Sequence, residues 1–189
     1  MSPRVERILE ECGALLEGHF LLTSGRHSPK YLEKFHILQY PHLTQYLCSM
    51  MADHFRGRGI EVVAGPTVGG VVLAFEVARQ LEVRAIFAER EGEGRAFKRG
   101  FTLNPGEQVL VVDDILTTGG SIREVMTAVE NLQGKTAGVA VLVDRSERGV
   151  DFGVPLFSCH KLSLPTYAPE ECPLCALGVP LTKLGGRPT

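Results

Sequence analysis

The sequence carries no surplus of either charge: 20 Lys and Arg stand against 22 Asp and Glu, a formal charge of -2 over 189 residues. With no global positive field to gather nucleic acid or an acidic membrane surface, any anion has to be held by a local site. Long apolar runs are also missing. No stretch reaches the ~18 consecutive apolar residues of a membrane span, and the opening MSPRVERILEECGALLEG carries charges at helical spacing instead of a signal-peptide core. The expectation is a cytoplasmic protein without a membrane partner. Cysteine is scarce, odd in number and unevenly spread, which argues against a paired disulfide framework and makes reduced thiols the default. Two nucleotide signatures are absent as well. No GxxxxGK[ST] occurs, so there is no Walker loop, and no GxGxxG occurs, so there is no dinucleotide fingerprint.

What is present fits one globular domain spanning 1–189. After Ser2 and Pro3, which suit a helix N-cap and first turn, the apolar residues Ile8, Leu9, Cys12, Leu15 and Leu16 recur at helical spacing, which predicts an amphipathic helix running on toward Gly18. The segment HFLLTSGRHSPKYLEKFHIL mixes β-formers with Ser24, Gly25 and Pro29 and predicts extended pieces around a tight turn. Leu43, Leu47, Met50, Met51 and Phe55 predict a second helix. From residue 60 two βαβ units follow. IEVVA, GPTVGG, VVLAFEVARQL and VRAIFAER make the first; QVLVVDD, ILTTGGS, IREVMTAVENLQ and AGVAVLVDR make the second. Continuous apolar strands of this kind belong to a parallel sheet covered on both faces, so an α/β core is expected from about 60 to 145. Between the units, EREGEGRAFKRG is too polar to pack and reads as a mobile loop or an exposed hairpin. Prolines gather beyond Phe157, where regular structure is expected to thin out around CPLC.

The stretch VLVVDDILTTGGS, Val109 to Ser121, carries the chemistry. Four apolar residues run into two carboxylates and then a small, hydroxyl-rich and glycine-rich turn before a helix. Thr117, Thr118, Gly119, Gly120 and Ser121 can aim backbone N–H groups and hydroxyls at a phosphate, since glycine permits close approach and a helix N-terminus offers unpaired donors. Asp113 and Asp114 repel a bare anion, but a ribose presents hydroxyl donors to carboxylates while its 5′-phosphate lies in the turn, and Mg²⁺ can bridge ribose hydroxyls to further phosphate oxygens. Against this stands the plainer reading, that Asp114 starts a turn and Thr118 caps a helix.

VLVVDDILTTGGS resembles the phosphoribosyl pyrophosphate (PRPP) binding motif of type I phosphoribosyltransferases. LTSGRHSPKY near the N-terminus and VLVDRSERG at 141–149 resemble the orotate phosphoribosyltransferases within that family, and with the core the likeness covers nearly the whole chain. The resemblance implies an α/β type I phosphoribosyltransferase fold, a central, mostly parallel sheet flanked by helices, with a small hood from about 1–40 and 155–189. It also implies transfer of the phosphoribosyl group of PRPP to orotate with Mg²⁺, in a homodimer whose mobile loop serves the neighbouring subunit's site. Carried over by position, the ribose-binding acids are Asp113 and Asp114, the 5′-phosphate loop is Thr117 to Ser121, and the orotate-binding arginine is Arg145. A guanidinium suits a planar carboxylate, although Arg145 next to Asp144 and Glu147 also suits a surface ion pair. Ser24, Gly25 and Arg26 resemble the orotate-side wall; Phe35 is a candidate to stack on the base or to join the core. Thr67, Val68 and Gly69 occupy the pyrophosphate loop.

The sequence departs from that pattern in two places: Val68-Gly69 stands where many relatives have Tyr-Lys, and Thr23 where many have a lysine before Ser-Gly. Compensation is expected from EREGEGRAFKRGF, which occupies the place of the mobile catalytic loop with Arg90, Arg95, Lys98 and Arg99, of which Arg90 and Lys98 are the catalytic candidates. The same cations among glutamates also fit a self-paired, solvated hairpin. In the tail, Cys172-x-x-Cys175 has metal-knuckle spacing, and with Cys159 and His160 it composes a candidate Zn²⁺ site; the competing reading is a proline-braced turn with reduced thiols. Two functional alternatives stand beside orotate transfer: transfer to another base, and a PRPP-binding regulator without turnover.

Overall fold

The computed structural model describes residues 3–22 and 24–184. Helix α1 (Pro3–Glu11) buries Val5, Ile8 and Leu9 and is shorter than its apolar spacing predicts. Gly13 takes a left-handed φ of 62°, while Gly13 N–H donates to Glu10 and Ala14 N–H to Leu9, a glycine C-cap that ends the helix. Leu15 and Leu16 therefore leave the helix. They begin β1 (Leu15–Leu21), which pairs antiparallel with β2 (His27–Leu32), Leu15 opposite Leu32 and Leu16 opposite Tyr31. The proposed Ser2 cap lies outside the described residues.

A one-turn helix α2 (Phe35–Leu38) and α3 (Pro41–Phe55) lead into the core. Pro41 opens α3 where a missing N–H costs nothing, and Leu47, Met51 and Phe55 are buried along one face. The expected βαβ units follow as β3 (Val62–Pro66), α4 (Gly69–Leu81), β4 (Arg84–Glu91), then β6 (Gln108–Leu116), α5 (Gly120–Asn131) and β7 (Lys135–Asp144). The polar segment between them folds as a hairpin of β4 with β5 (Gly94–Phe97). The sheet runs past the expected limit of about 145, because β8 (Leu156–Lys161) joins β7 in parallel. Its order is β5-β4-β3-β6-β7-β8, parallel except for β5.

Period-two alternation sends side chains into two cores. Leu110 and Val112 of β6 pack toward α3 and α4, with Val63, Leu142 and Phe55; Val109 and Val111 pack toward α5, with Ile122, Val125 and Val129. Gly138 lets Phe55 lie against β7, since a Cβ there would run into the ring. The tail returns to the N-terminal hairpin on both edges. His27 and Tyr167 exchange backbone hydrogen bonds beside β2, and Thr182 bonds to His19 and Leu21 beside β1. Among the described residues no helix is long and apolar enough to cross a membrane.

Candidate active site

The chain leaves β3 toward β4 on one side of the sheet and leaves β6 toward β7 on the other. β3 and β6 are neighbours, so a crevice opens beyond their C-terminal ends, the usual ligand position in an open α/β sheet. A cleft of about 570 Å³ lies there, with Thr67, Val68 and Gly69 after β3, Asp113 and Asp114 near the end of β6, and the N-terminal hairpin as its far wall.

Asp113 and Asp114 are both nearly buried. Asp113 Oδ2 accepts from the Ser121 hydroxyl at 2.7 Å and Oδ1 from the Asp114 N–H at 2.8 Å. Burial, and then the charge of Asp114, push the Asp113 carboxyl up to about 6 against these hydrogen bonds. Asp114 is balanced by Lys34, whose Nζ lies 3.0 Å from Oδ1 and 2.9 Å from Oδ2. Gly69 is required here because a Cβ would collide with Asp114 Oδ2.

Thr117, Thr118 and Ser121 line the same cleft beside the N-terminus of α5. Gly119 precedes that helix at φ 81°, where a Cβ would run into Phe152 and Val150, and among the described residues no side chain caps it. Thr118 is therefore not a helix cap, and the orphan N–H groups of the first turn near Gly120 and Ser121 are available to an anion.

Arg145 follows β7 and lines both this cleft and an adjoining one of about 590 Å³. Its partner is neither Asp144 nor Glu147. Asp144 accepts from the Ser146 N–H and hydroxyl, and among the described residues no carboxylate lies within ion-pair distance of Arg145, whose Nε is buried without a hydrogen-bond partner. Burial pulls the guanidinium below its ordinary pKa. Ser24 lines both clefts. Arg26 lines only the adjoining one, held by Thr166 through bonds of 2.9 Å to its hydroxyl and carbonyl. Gly25, at φ 78°, makes the turn between them, and Thr23 lies outside the described residues. Phe35 neither joins the core nor lines the cleft: it is exposed, and Tyr31 of β2 presents the aromatic wall instead.

The hairpin cations are divided. Arg95 alone lines the cleft, its guanidinium 3.3 Å from the Thr67 hydroxyl and 3.1 Å from Glu124 of α5, close to the carboxylate but misaligned for a hydrogen bond. Arg90 and Lys98, the candidates for catalysis, do not line it. Arg90 pairs with Glu124 at 3.1 Å and Lys98 with Glu91 at 3.6 Å, while Arg99 pairs with Glu89. Sequence reasoning missed Lys34, Tyr31 and the inward position of Arg95. The Lys34 signal was faint, a cation two residues after the strand of the SGRHSPKY motif.

The candidate zinc ligands separate too. Cys159 Sγ donates to the Leu47 carbonyl inside the core, where burial pushes its thiol up to about 12, and neither it nor His160 joins Cys172 and Cys175. Those two cysteines meet His19 and His27 of the N-terminal hairpin instead.

A family model described as "Phosphoribosyl transferase domain" matches residues 36–159. A relative from Caldicellulosiruptor bescii named orotate phosphoribosyltransferase is 50% identical over 181 residues, covering 96% of this chain and 95% of its own. One of the same name from Caldanaerobacter subterraneus subsp. tengcongensis is 50% identical over 184 residues, covering 97% of each. Among solved structures, the orotate phosphoribosyltransferase from Aeropyrum pernix superposes with a TM-score of 0.72 at 26% identity, covering 84% of this chain and 93% of that one.

Proposed function

The chain belongs to the phosphoribosyl transferase domain family, and from that premise we propose that it is an orotate phosphoribosyltransferase, converting orotate and PRPP to orotidine 5′-monophosphate and pyrophosphate. The observation that carries the choice of base is Arg145, a half-buried guanidinium with no carboxylate partner among the described residues, facing the cleft that also holds the acid pair. An anionic planar base satisfies it; a neutral base would leave it desolvated and unpaired.

In this reading the ribose hydroxyls of PRPP donate to Asp113 and Asp114, and the 5′-phosphate meets Thr117, Thr118, Gly119, Gly120 and Ser121 at the uncapped start of α5. Thr67, Val68 and Gly69 border the diphosphate, with Arg95 behind them. Arg145 fixes the orotate carboxylate, and Ser24, Tyr31 and Arg26 complete the base side. Cleavage at the anomeric carbon passes through an oxocarbenium-like transition state, by analogy with glycosyl transfer. The buried carboxylates face the developing positive charge, and the cations around the cleft face the departing negative charge.

The hard oxygens of Asp113 and Asp114 fit Mg²⁺ arriving with PRPP, because among the described residues these two buried carboxylates are balanced by a single ammonium, that of Lys34. An ion held there would supply charge neutralisation for the diphosphate. The reading also includes a cytoplasmic homodimer. Val68, Val72 and Phe75 expose apolar side chains at helical spacing where α4 begins, a surface suited to a second copy of the chain. The β4–β5 hairpin would then bring Arg90 and Lys98 to a neighbouring cleft.

The test follows orotate consumption by ultraviolet absorbance with PRPP and Mg²⁺, beside adenine, hypoxanthine and uracil. Orotate-dependent turnover that stops on chelating Mg²⁺ is expected. Turnover with another base only, or PRPP binding without turnover of any base, would overturn the assignment.

A further inference from the structure

His19, His27, Cys172 and Cys175 lie apart from the cleft, and we propose that they form a structural Zn²⁺ site clamping the C-terminal tail onto the β1–β2 hairpin. Their donor atoms all fall within 4.8 Å of one another. His19 Nε2 is 3.1 Å from His27 Nδ1, 3.4 Å from Cys172 Sγ and 3.8 Å from Cys175 Sγ, and Cys175 Sγ is 3.3 Å from His27 Nδ1. A tetrahedral ion with Zn–N of about 2.0–2.1 Å and Zn–S of about 2.3 Å has N···N edges of about 3.3 Å and N···S edges of about 3.6 Å. Those four edges lie within about 0.3 Å of these values, and the other two donor pairs stay within 4.8 Å.

The protons point the same way. His19 Nδ1 lies 2.8 Å from the Val179 carbonyl, which only accepts, so Nδ1 carries the proton and Nε2 turns a lone pair toward the other three donors. A histidine oriented through its far nitrogen by a backbone carbonyl is the usual support of a metal ligand. His19, His27 and Cys172 are buried, which suits a site whose charges cancel: two thiols bind as thiolates, two protons leave, and two negative charges meet the dication. Two sulfurs and two imidazoles in a tetrahedron favour zinc over the oxygen-seeking Mg²⁺ or Ca²⁺.

The fold supplies a reason for a clamp. Beyond Cys172 the tail exposes Leu177, Val179 and Leu181 and buries little apolar surface, while its backbone bonds to β1 and β2 bracket the cluster through Tyr167 and Thr182. His27 follows the Ser24–Arg26 turn that walls the adjoining cleft, so the ion would brace that wall as well as the tail. The inference is independent of the proposed reaction, and its test does not use activity.

Tag-free protein prepared under reducing conditions is analysed for metal, then stripped and reloaded with Co²⁺. About one zinc per chain is expected, with the visible bands of tetrahedral Co²⁺ bearing thiolate ligands. Cys175→Ser, at an exposed position outside the hydrophobic cores, should drop the zinc content to near zero; Cys159→Ser should keep it. A chelator should lower the melting temperature of the parent and leave that of Cys175→Ser unchanged. Reduced protein that neither retains nor takes up zinc would overturn the proposal, as would undiminished zinc in Cys175→Ser or equal loss in Cys159→Ser.

Discussion

The ammonium of Lys34 grips both oxygens of Asp114, at 3.0 and 2.9 Å, across 80 residues of sequence and between the N-terminal hairpin segment and the central sheet. This cation answers part of the deficit left at Gly69 and Thr23, where many type I relatives carry lysine. It does so from the carboxylate side of the cleft, so it sets the charge of the acid pair before any substrate arrives.

Replacing Lys34 with Ala is expected to lower kcat/KM for PRPP by 10- to 100-fold, the effect of losing about 1.5–3 kcal/mol of charged hydrogen bonding. The Lys34 charge also lowers the Asp113 pKa, so the acid limb of the pH–rate profile should move to higher pH in Lys34→Ala and return toward the parent in Lys34→Arg. An unshifted limb would show that the pair does not tune Asp113.

Asp113→Asn should separate stability from activity. In the folded chain Asp113 titrates near 6 against an ordinary 3.8, so the folded state holds its proton to higher pH than the unfolded one. The stability due to that proton is fully present below about pH 4 and lost as pH rises through 6. The substituted amide does not ionise and can keep both hydrogen bonds, its oxygen accepting from the Asp114 N–H and its nitrogen donating to the Ser121 hydroxyl oxygen. The variant should be more stable than the parent at pH 8 by about 1–3 kcal/mol, equal to it below about pH 4, and without measurable turnover. Thermal melts at the two pH values, in the absence of substrate, check the sign; a gap independent of pH would contradict the titration argument.

These two residues also mark how far the sequence can be read. VLVVDD announces a buried parallel strand ending in carboxylates because that pattern is local, and GPTVGG and TTGGS announce turns before helices for the same reason. Lys34 is only faintly legible in the pattern because its partner lies 80 residues away in the chain. Leu15 and Leu16 continue a helical spacing that Gly13 physically stops, so the period persists in the letters after the helix has ended. Adjacency misleads at Cys159-His160: neighbours in a strand point to opposite faces, and Cys159 turns into the core. The two histidines that do face the CPLC cysteines come from the N-terminal hairpin, a pairing set by tertiary structure alone.

Arg145→Ala should raise KM for orotate by about 100-fold, equivalent to roughly 3 kcal/mol of charge-assisted bonding, and leave PRPP affinity nearly unchanged. Because Arg145 makes no ion pair among the described residues, its loss breaks none of the ion pairs seen there, and the melting temperature should stay within a few degrees of the parent. Steady-state kinetics in both substrates, with calorimetric PRPP binding, make the comparison. Equal losses toward both substrates would reassign Arg145 to a structural role.

Arg90 and Lys98 do not line the cleft of their own chain; they are tied to Glu124 and Glu91 through half-exposed pairs whose net contribution is about 0–1 kcal/mol each and which can therefore exchange partners easily. If the hairpin serves a neighbouring cleft in a two-fold dimer, each active site needs the acid pair of one copy and the hairpin of the other. An Arg90→Ala/Lys98→Ala chain and an Asp113→Asn chain should then each be inactive alone. Co-expressed in equal amounts, half of the dimers are hybrids, and each hybrid joins one intact acid pair to one intact hairpin, so activity should return to about one quarter of the parent per site. If the hairpin instead folds over its own cleft, every site in the mixture lacks one component and nothing is recovered. Activity of the co-expressed pair, measured against each variant alone, decides between the two arrangements.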